Sequence, residues 1–146
     1  MGDMLMPQPL IEPGPDAAPL AWLAGEIRVT TDAALAGIRR FQGDKGEPEA
    51  LRGAIAQVHE AAGALRMLDL RGAALLLDSL EGLLKRWESA PGECNAAAVQ
   101  KVESAVQALA AYLEGLRVGR ADQPIRLFPH YRDLLQLVGA PRIHPA

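Results

Sequence analysis

The chain is poor in the residues that most often announce chemistry. One cysteine in 146 residues excludes an intrachain disulfide and any multi-cysteine zinc or iron–sulfur site. Aromatic residues make up only 4%, so the rings that stack on single-stranded bases are scarce. There is no basic surplus: 15 Lys+Arg stand against 18 Asp+Glu, a formal net charge of −3. That balance argues against nucleic acid, whose binding draws most of its affinity from neutralised phosphates. No apolar run approaches the roughly 18 uncharged residues of a membrane-crossing helix, and no membrane contact is required. The opening residues, MGDMLMPQPLIEPGPD, lack a basic start followed by an apolar core. No signal peptide is therefore expected, and the expected location is cytoplasmic. Strand-period alternation is absent throughout. His59, His130 and His144 have no zincin spacing and no carboxylate–histidine cluster, so neither metal nor cofactor is expected.

What the chain does have is helical patterning. It is 49% hydrophobic and 23% charged, a globular balance. Its length suits one domain able to bury roughly 68–70% of its unfolded surface. Residues 1–18 form a flexible leader, since Pro7, Pro9, Pro13 and Pro15 are too dense for a helix. A first helix is predicted from Pro19 to Phe41, capped by Asp16, with Leu20, Leu23, Ile27, Ala34, Ile38 and Phe41 as its apolar stripe. Val29, Thr30 and Thr31 weaken its middle by β-branching. A second runs from Pro48 to Leu68 on Leu51, Ile55, Val58, Ala62 and Leu65. The Asp69–Gly72 break comes next, with Asp69 as cap of a third helix from Ala73 to Ser89. A fourth starts after Asn95 and ends near Leu116. A short last helix spans Pro129 to Val138, and residues 141–146 are a tail. Long amphipathic helices with short joins imply an all-α, antiparallel four-helix bundle over residues 19–140, with a short additional C-terminal helix. A helical hairpin pair that dimerises is the alternative.

His59 is the one chemically loaded position. At about 100° per residue it lies about 80° from the centre of its helix's stripe, where a bundle helix meets solvent. Gly63, one turn on, sits mid-helix, where glycine costs about 1 kcal/mol against alanine. Either a partner approaches closely there or a neighbouring helix does. An exposed imidazole on a rigid helix is a competent nucleophile toward a phosphorylated aspartate or a kinase-bound nucleotide, whose own protein brings the metal. A half-buried boundary histidine beside a chance glycine is the simpler reading of the same residues. No second acid, base or metal ligand is evident near His59. Glu60 adjoins it in sequence, but adjacent helical residues do not face each other. Trp22, Met67 and Trp87 read as core or boundary packing. Cys94 reads as an incidental thiol in a turn, and Glu81, Lys85, Arg86 and Glu88 as a solvated outer face.

The segment Gln57-Val58-His59-Glu60-Ala61-Ala62-Gly63 resembles the His-x-x-x-Gly core of histidine-containing phosphotransfer (Hpt) domains. Residues 20–27, 57–84, 112–119 and 124–140 extend the likeness. There the chain is similar to the N-terminal Hpt-like domain of the chemotaxis-type histidine kinases that control type IV pili, and to related pilus scaffold proteins. The resemblance implies a bundle with His59 as phosphoryl acceptor and Arg52, Ala56, Ala62, Gly63 and Arg66 as the binding surface. It implies as partner a receiver domain, a histidine kinase core or a pilus-signalling scaffold protein, with no autonomous catalysis.

Two departures bear on competence. The lysine usual before the glycine is Ala62, for which Arg66 is the substitute on the same helix. Asp69 stands where a later glycine is usual. The function implied is therefore an interaction or scaffold module of a chemotaxis-like system for pili and twitching motility. The alternative is an active phosphotransfer domain relaying through His59. In either case the first two helices would present the contact face, with Arg39, Arg52 and Arg66 supplying positive charge.

Overall fold

Alanine- and leucine-rich periodicity becomes five α-helices in a computed structural model, which describes residues 17–121 and 123–139. They are α1 (Ala17–Gly43), α2 (Pro48–Met67), α3 (Arg71–Ser89), α4 (Ala96–Arg117) and α5 (Phe128–Val138). Short 3₁₀ turns at Pro91–Glu93 and Pro124–Leu127 precede α4 and α5. No strand occurs among the described residues, and none of their helices is long and apolar enough to cross a membrane. Asp16, the leader before Ala17 and the tail at 141–146 lie outside the described residues.

Local chemistry explains most of the boundaries. α1 begins at Ala17, ahead of the expected Pro19, and runs unbroken through Val29, Thr30 and Thr31. The buried Thr31 hydroxyl donates to the Ile27 carbonyl at 2.8 Å, so the β-branched stretch is satisfied within the helix. The Asn95 side chain accepts from the Ala98 N–H at 2.9 Å and caps α4 as expected.

Asp69 does not cap α3. Leu70 holds that position, with no side-chain cap bond. Asp69 instead closes α2: it sits at φ 60°, the Leu70 N–H reaches the Leu65 carbonyl at 3.0 Å, and its own N–H reaches Arg66 at 2.9 Å. That is the Schellman closure, which normally uses glycine because a left-handed backbone penalises a side chain. α4 closes in the same way on a true glycine, Gly119 at φ 96°, with the Arg120 N–H on the Gly115 carbonyl at 2.8 Å. Gly72 serves a different need: a Cβ there would lie 2.5 Å from Pro124 Cβ. Its missing side chain lets the turn before α5 sit directly on α3.

α1 packs mainly on α2 and α4, and α2 on α1 and α3. α3 and α4 scarcely meet. α5 and its preceding turn lie against both of them, with Leu134 and Leu127 buried. The short C-terminal helix therefore docks through Leu134 and forms a wall of the core. Trp87 is buried among the leucines of α3, but Trp22 and Met67 are not packing residues: they are 67% and 86% exposed. Cys94 sits in the turn before α4, as expected, with its N–H on the Pro91 carbonyl at 3.0 Å. It is fully buried, and burial pushes its pKa up against a smaller pull from the Lys45 charge.

Candidate functional site

The inner face of α2 is defined by Leu51, Ala54, Val58, Ala61, Ala62 and Leu65. Arg52, His59 and Arg66 succeed one another at seven-residue spacing along the edge of that face nearest α3. Each meets a carboxylate of α3. Arg66 Nη1 donates to both oxygens of Asp78 at 2.9 Å. His59 Nδ1 lies 3.1 Å from Glu81 Oε1. Arg52 Nε lies 3.7 Å from Glu88 Oε2 and its Nη1 3.0 Å from Glu49 Oε2. The histidine is thus the middle rung of an ion-pair ladder joining α2 to α3.

The middle rung differs from its neighbours in burial. The His59 side chain is 68% exposed, whereas Glu81 is only 12% exposed. Glu81 is shared, since its second oxygen accepts from Lys85 Nζ at 3.1 Å. Burial pulls the Glu81 carboxyl upward. The hydrogen bonds and charges of Lys85 and His59 together outweigh that, so its pKa lies below the ordinary carboxylate value of 4.5. An ionised carboxylate can only accept, so Nδ1 carries the proton and donates it to Glu81. In the neutral ring the lone pair is then on Nε2. A largely hydrated imidazole has been given one tautomer and one orientation by a fixed acceptor.

The remaining predicted positions separate. Ala56 and Arg52 are exposed, Gly63 is half-buried, and Arg66 is exposed but occupied by Asp78. Ala62 is 0% exposed and lines the core, so it contributes nothing to an outer surface. Arg39 pairs with Glu103 of α4 at 2.8 Å and does not join the His59 face. Arg86 turns to Glu93, with bonds of 2.9 and 2.8 Å. Arg52, His59 and Arg66 therefore share the edge between α2 and α3, while Arg39 of α1 faces α4. His130 is half-buried on α5 away from this ladder, and His144 lies outside the described residues. Among the described residues no group of three His, Cys, Asp or Glu could hold a metal ion.

The partner of His59 that sequence reasoning missed is Glu81. A signal for it was present. His59 lies eleven residues before Leu70 and Glu81 eleven after it, and Arg52 and Glu88 are likewise equidistant from Leu70. Two helices folded back about a tight break bring such positions level. The acid beside His59 belongs to the neighbouring helix, so the sequence of α2 alone does not contain it.

The structure separates the two explanations of Gly63. A Cβ built there meets nothing within 4 Å. No neighbouring helix requires the glycine, so packing does not explain it. Gly63→Ala is expected to raise stability by about 1 kcal/mol through helix propensity alone, measured by urea unfolding. An unchanged or lowered midpoint would mean that the folded chain itself disfavours a side chain at position 63. No family model, curated protein or solved structure matches the chain.

Proposed function

We propose that the chain is an Hpt-like helical module whose His59 accepts a phosphoryl group from a receiver aspartate or a histidine kinase core. The observation that carries this reading is the exposed His59 ring with Nδ1 bound to the near-buried Glu81. In the step, the Nε2 lone pair forms the N–P bond while the bond from phosphorus to the donor oxygen breaks. The donor leaves as the aspartate carboxylate or as ADP. The Nδ1 proton stays with the ring, and Glu81 compensates the positive charge the ring acquires. No base is needed to remove a proton from the attacking nitrogen. The open space at Gly63 and the small Ala56 leave room for a second protein to come close. The packing of α1 on α2 and α2 on α3 across short joins supports an antiparallel bundle as the frame. Assignment to a chemotaxis-like system controlling type IV pili rests on the sequence resemblance.

A second reading, an Hpt-like scaffold module in the same kind of system, is favoured by one observation. The lysine expected before Gly63 is a buried alanine, and Arg66 is already neutralised by Asp78. The test is incubation of the purified chain with phosphorylated receiver domains or the kinase core of such a system, beside a His59→Gln control. Acid-labile, alkali-stable phosphate on the parent chain and not on the control is the expected result. No label on either, with partner binding equal in both, would place the chain with the scaffolds.

A further inference from the structure

We infer that Lys85 of α3 is the cation that offsets the phosphoryl charge at His59, the task a lysine at position 62 would perform from α2. The inference rests on the phosphoacceptor reading above.

A phosphoryl group on Nε2 adds roughly two negative charges at neutral pH. It would stand across the imidazole ring from Glu81, which is already ionised. Without a cation nearby, the product would gather negative charge on both sides of the ring. α2 has no cation to give. Position 62 is a core alanine, Arg66 donates to both oxygens of Asp78, and Arg52 is held between Glu49 and Glu88. Lys85 is differently placed. Its side chain is 59% exposed and its ammonium holds Glu81 Oε2 at 3.1 Å, while His59 holds the other oxygen of the same carboxylate.

Glu81 is the residue of α3 level with His59, and Lys85 follows it by one turn on the same side of α3, so the His59 and Lys85 side chains converge on one carboxylate. A long, solvated lysine stem can swing its ammonium from a carboxylate oxygen toward a phosphoryl oxygen while the His59 ring keeps the other oxygen of Glu81. The lysine is a charge-offset and positioning residue.

The test needs no partner protein. Phosphoramidate, an N–P donor, is added to the full chain. His59 Nε2 forms a bond to phosphorus, the P–N bond breaks, and ammonia leaves with the protons it carried. Uptake is followed by ³¹P NMR in the parent chain, Lys85→Gln, Lys85→Arg and His59→Gln, all checked for folding by circular dichroism. Lys85→Gln is expected to slow uptake about tenfold and to raise the ³¹P titration midpoint of the phosphohistidine by roughly one pH unit. Lys85→Arg should restore both. A purely structural role for Lys85 would leave that midpoint unmoved. Uptake and midpoint in Lys85→Gln equal to the parent would overturn the lysine's role and leave the acceptor reading standing. No uptake in the parent chain would overturn both.

Discussion

Glu81→Gln is expected to slow phosphoryl uptake at His59 by ten- to a hundredfold with the helices intact. Three consequences of the substitution act together. Glutamine no longer balances the charge the ring gains as the N–P bond forms. Its amide can also donate, so it no longer dictates which ring nitrogen carries the proton. The Lys85 contact loses its anion. Loss of one compensating charge at a partly buried site is worth about 1.4–2.8 kcal/mol in the barrier, which gives the range stated. Single-turnover labelling beside the parent chain checks it, and an undiminished rate would mean that Glu81 merely joins two helices.

The same carboxylate sets a pH dependence. Its pKa in the folded chain is lowered below the ordinary 4.5, because Lys85 and His59 more than offset its burial. The folded state therefore binds its proton less tightly than the unfolded chain does. The stability it contributes is fully present above the unfolded value and is lost as pH falls through the lowered folded value. Glu81→Gln removes that contribution, so the variant's unfolding midpoint should fall less steeply than the parent's from about pH 5 down to the acid limit of folding.

The helices were legible because burial imposes a period. Leu51, Val58 and Leu65 share one face in any helical reading, and Asn95 is suited to cap the helix that starts after it. The site was half legible. His59 and Gly63 stand out from the surface residues of their own helix, but Glu81 is one of several charges on α3. Nothing local distinguishes it from Glu88, which is a solvated partner of Arg52. Only the fold-back about Leu70 makes Glu81 nearly buried and aligned with the ring. Arg66 illustrates the converse. Its position near His59 reads as available charge, and Asp78 consumes it. Trp22 and Met67 misled because large apolar side chains are read as core, although much of any protein surface is apolar. Asp69 misled because aspartate is a good N-cap. The chain uses it one residue earlier, to end a helix in the left-handed conformation.

The position of α5 leads to the largest expected loss of stability. An appended helix could be altered with little consequence. Here α3 and α4 make few contacts with each other, and α5 lies against both. Leu134 is fully buried at that junction, and Leu127 of the preceding turn is 2% exposed. Replacing a fully buried leucine by alanine removes its transfer free energy and leaves a void that rigid helices cannot fill. Leu134→Ala should therefore cost about 2–5 kcal/mol. For a chain of this size that is a large share of a typical total of about 5–15 kcal/mol. Urea unfolding should show a lowered midpoint with a similar slope. A change below about 1 kcal/mol would mean that α5 docks without closing the core. The consequence reaches His59 through α3. That helix carries Asp78, Glu81, Lys85 and Glu88, and it packs against α5 as well as α2. A Leu134→Ala chain that remains folded should then hold the His59 ring less firmly. Its imidazole NMR signals should show more exchange than the parent's, although the substitution lies on a different helix.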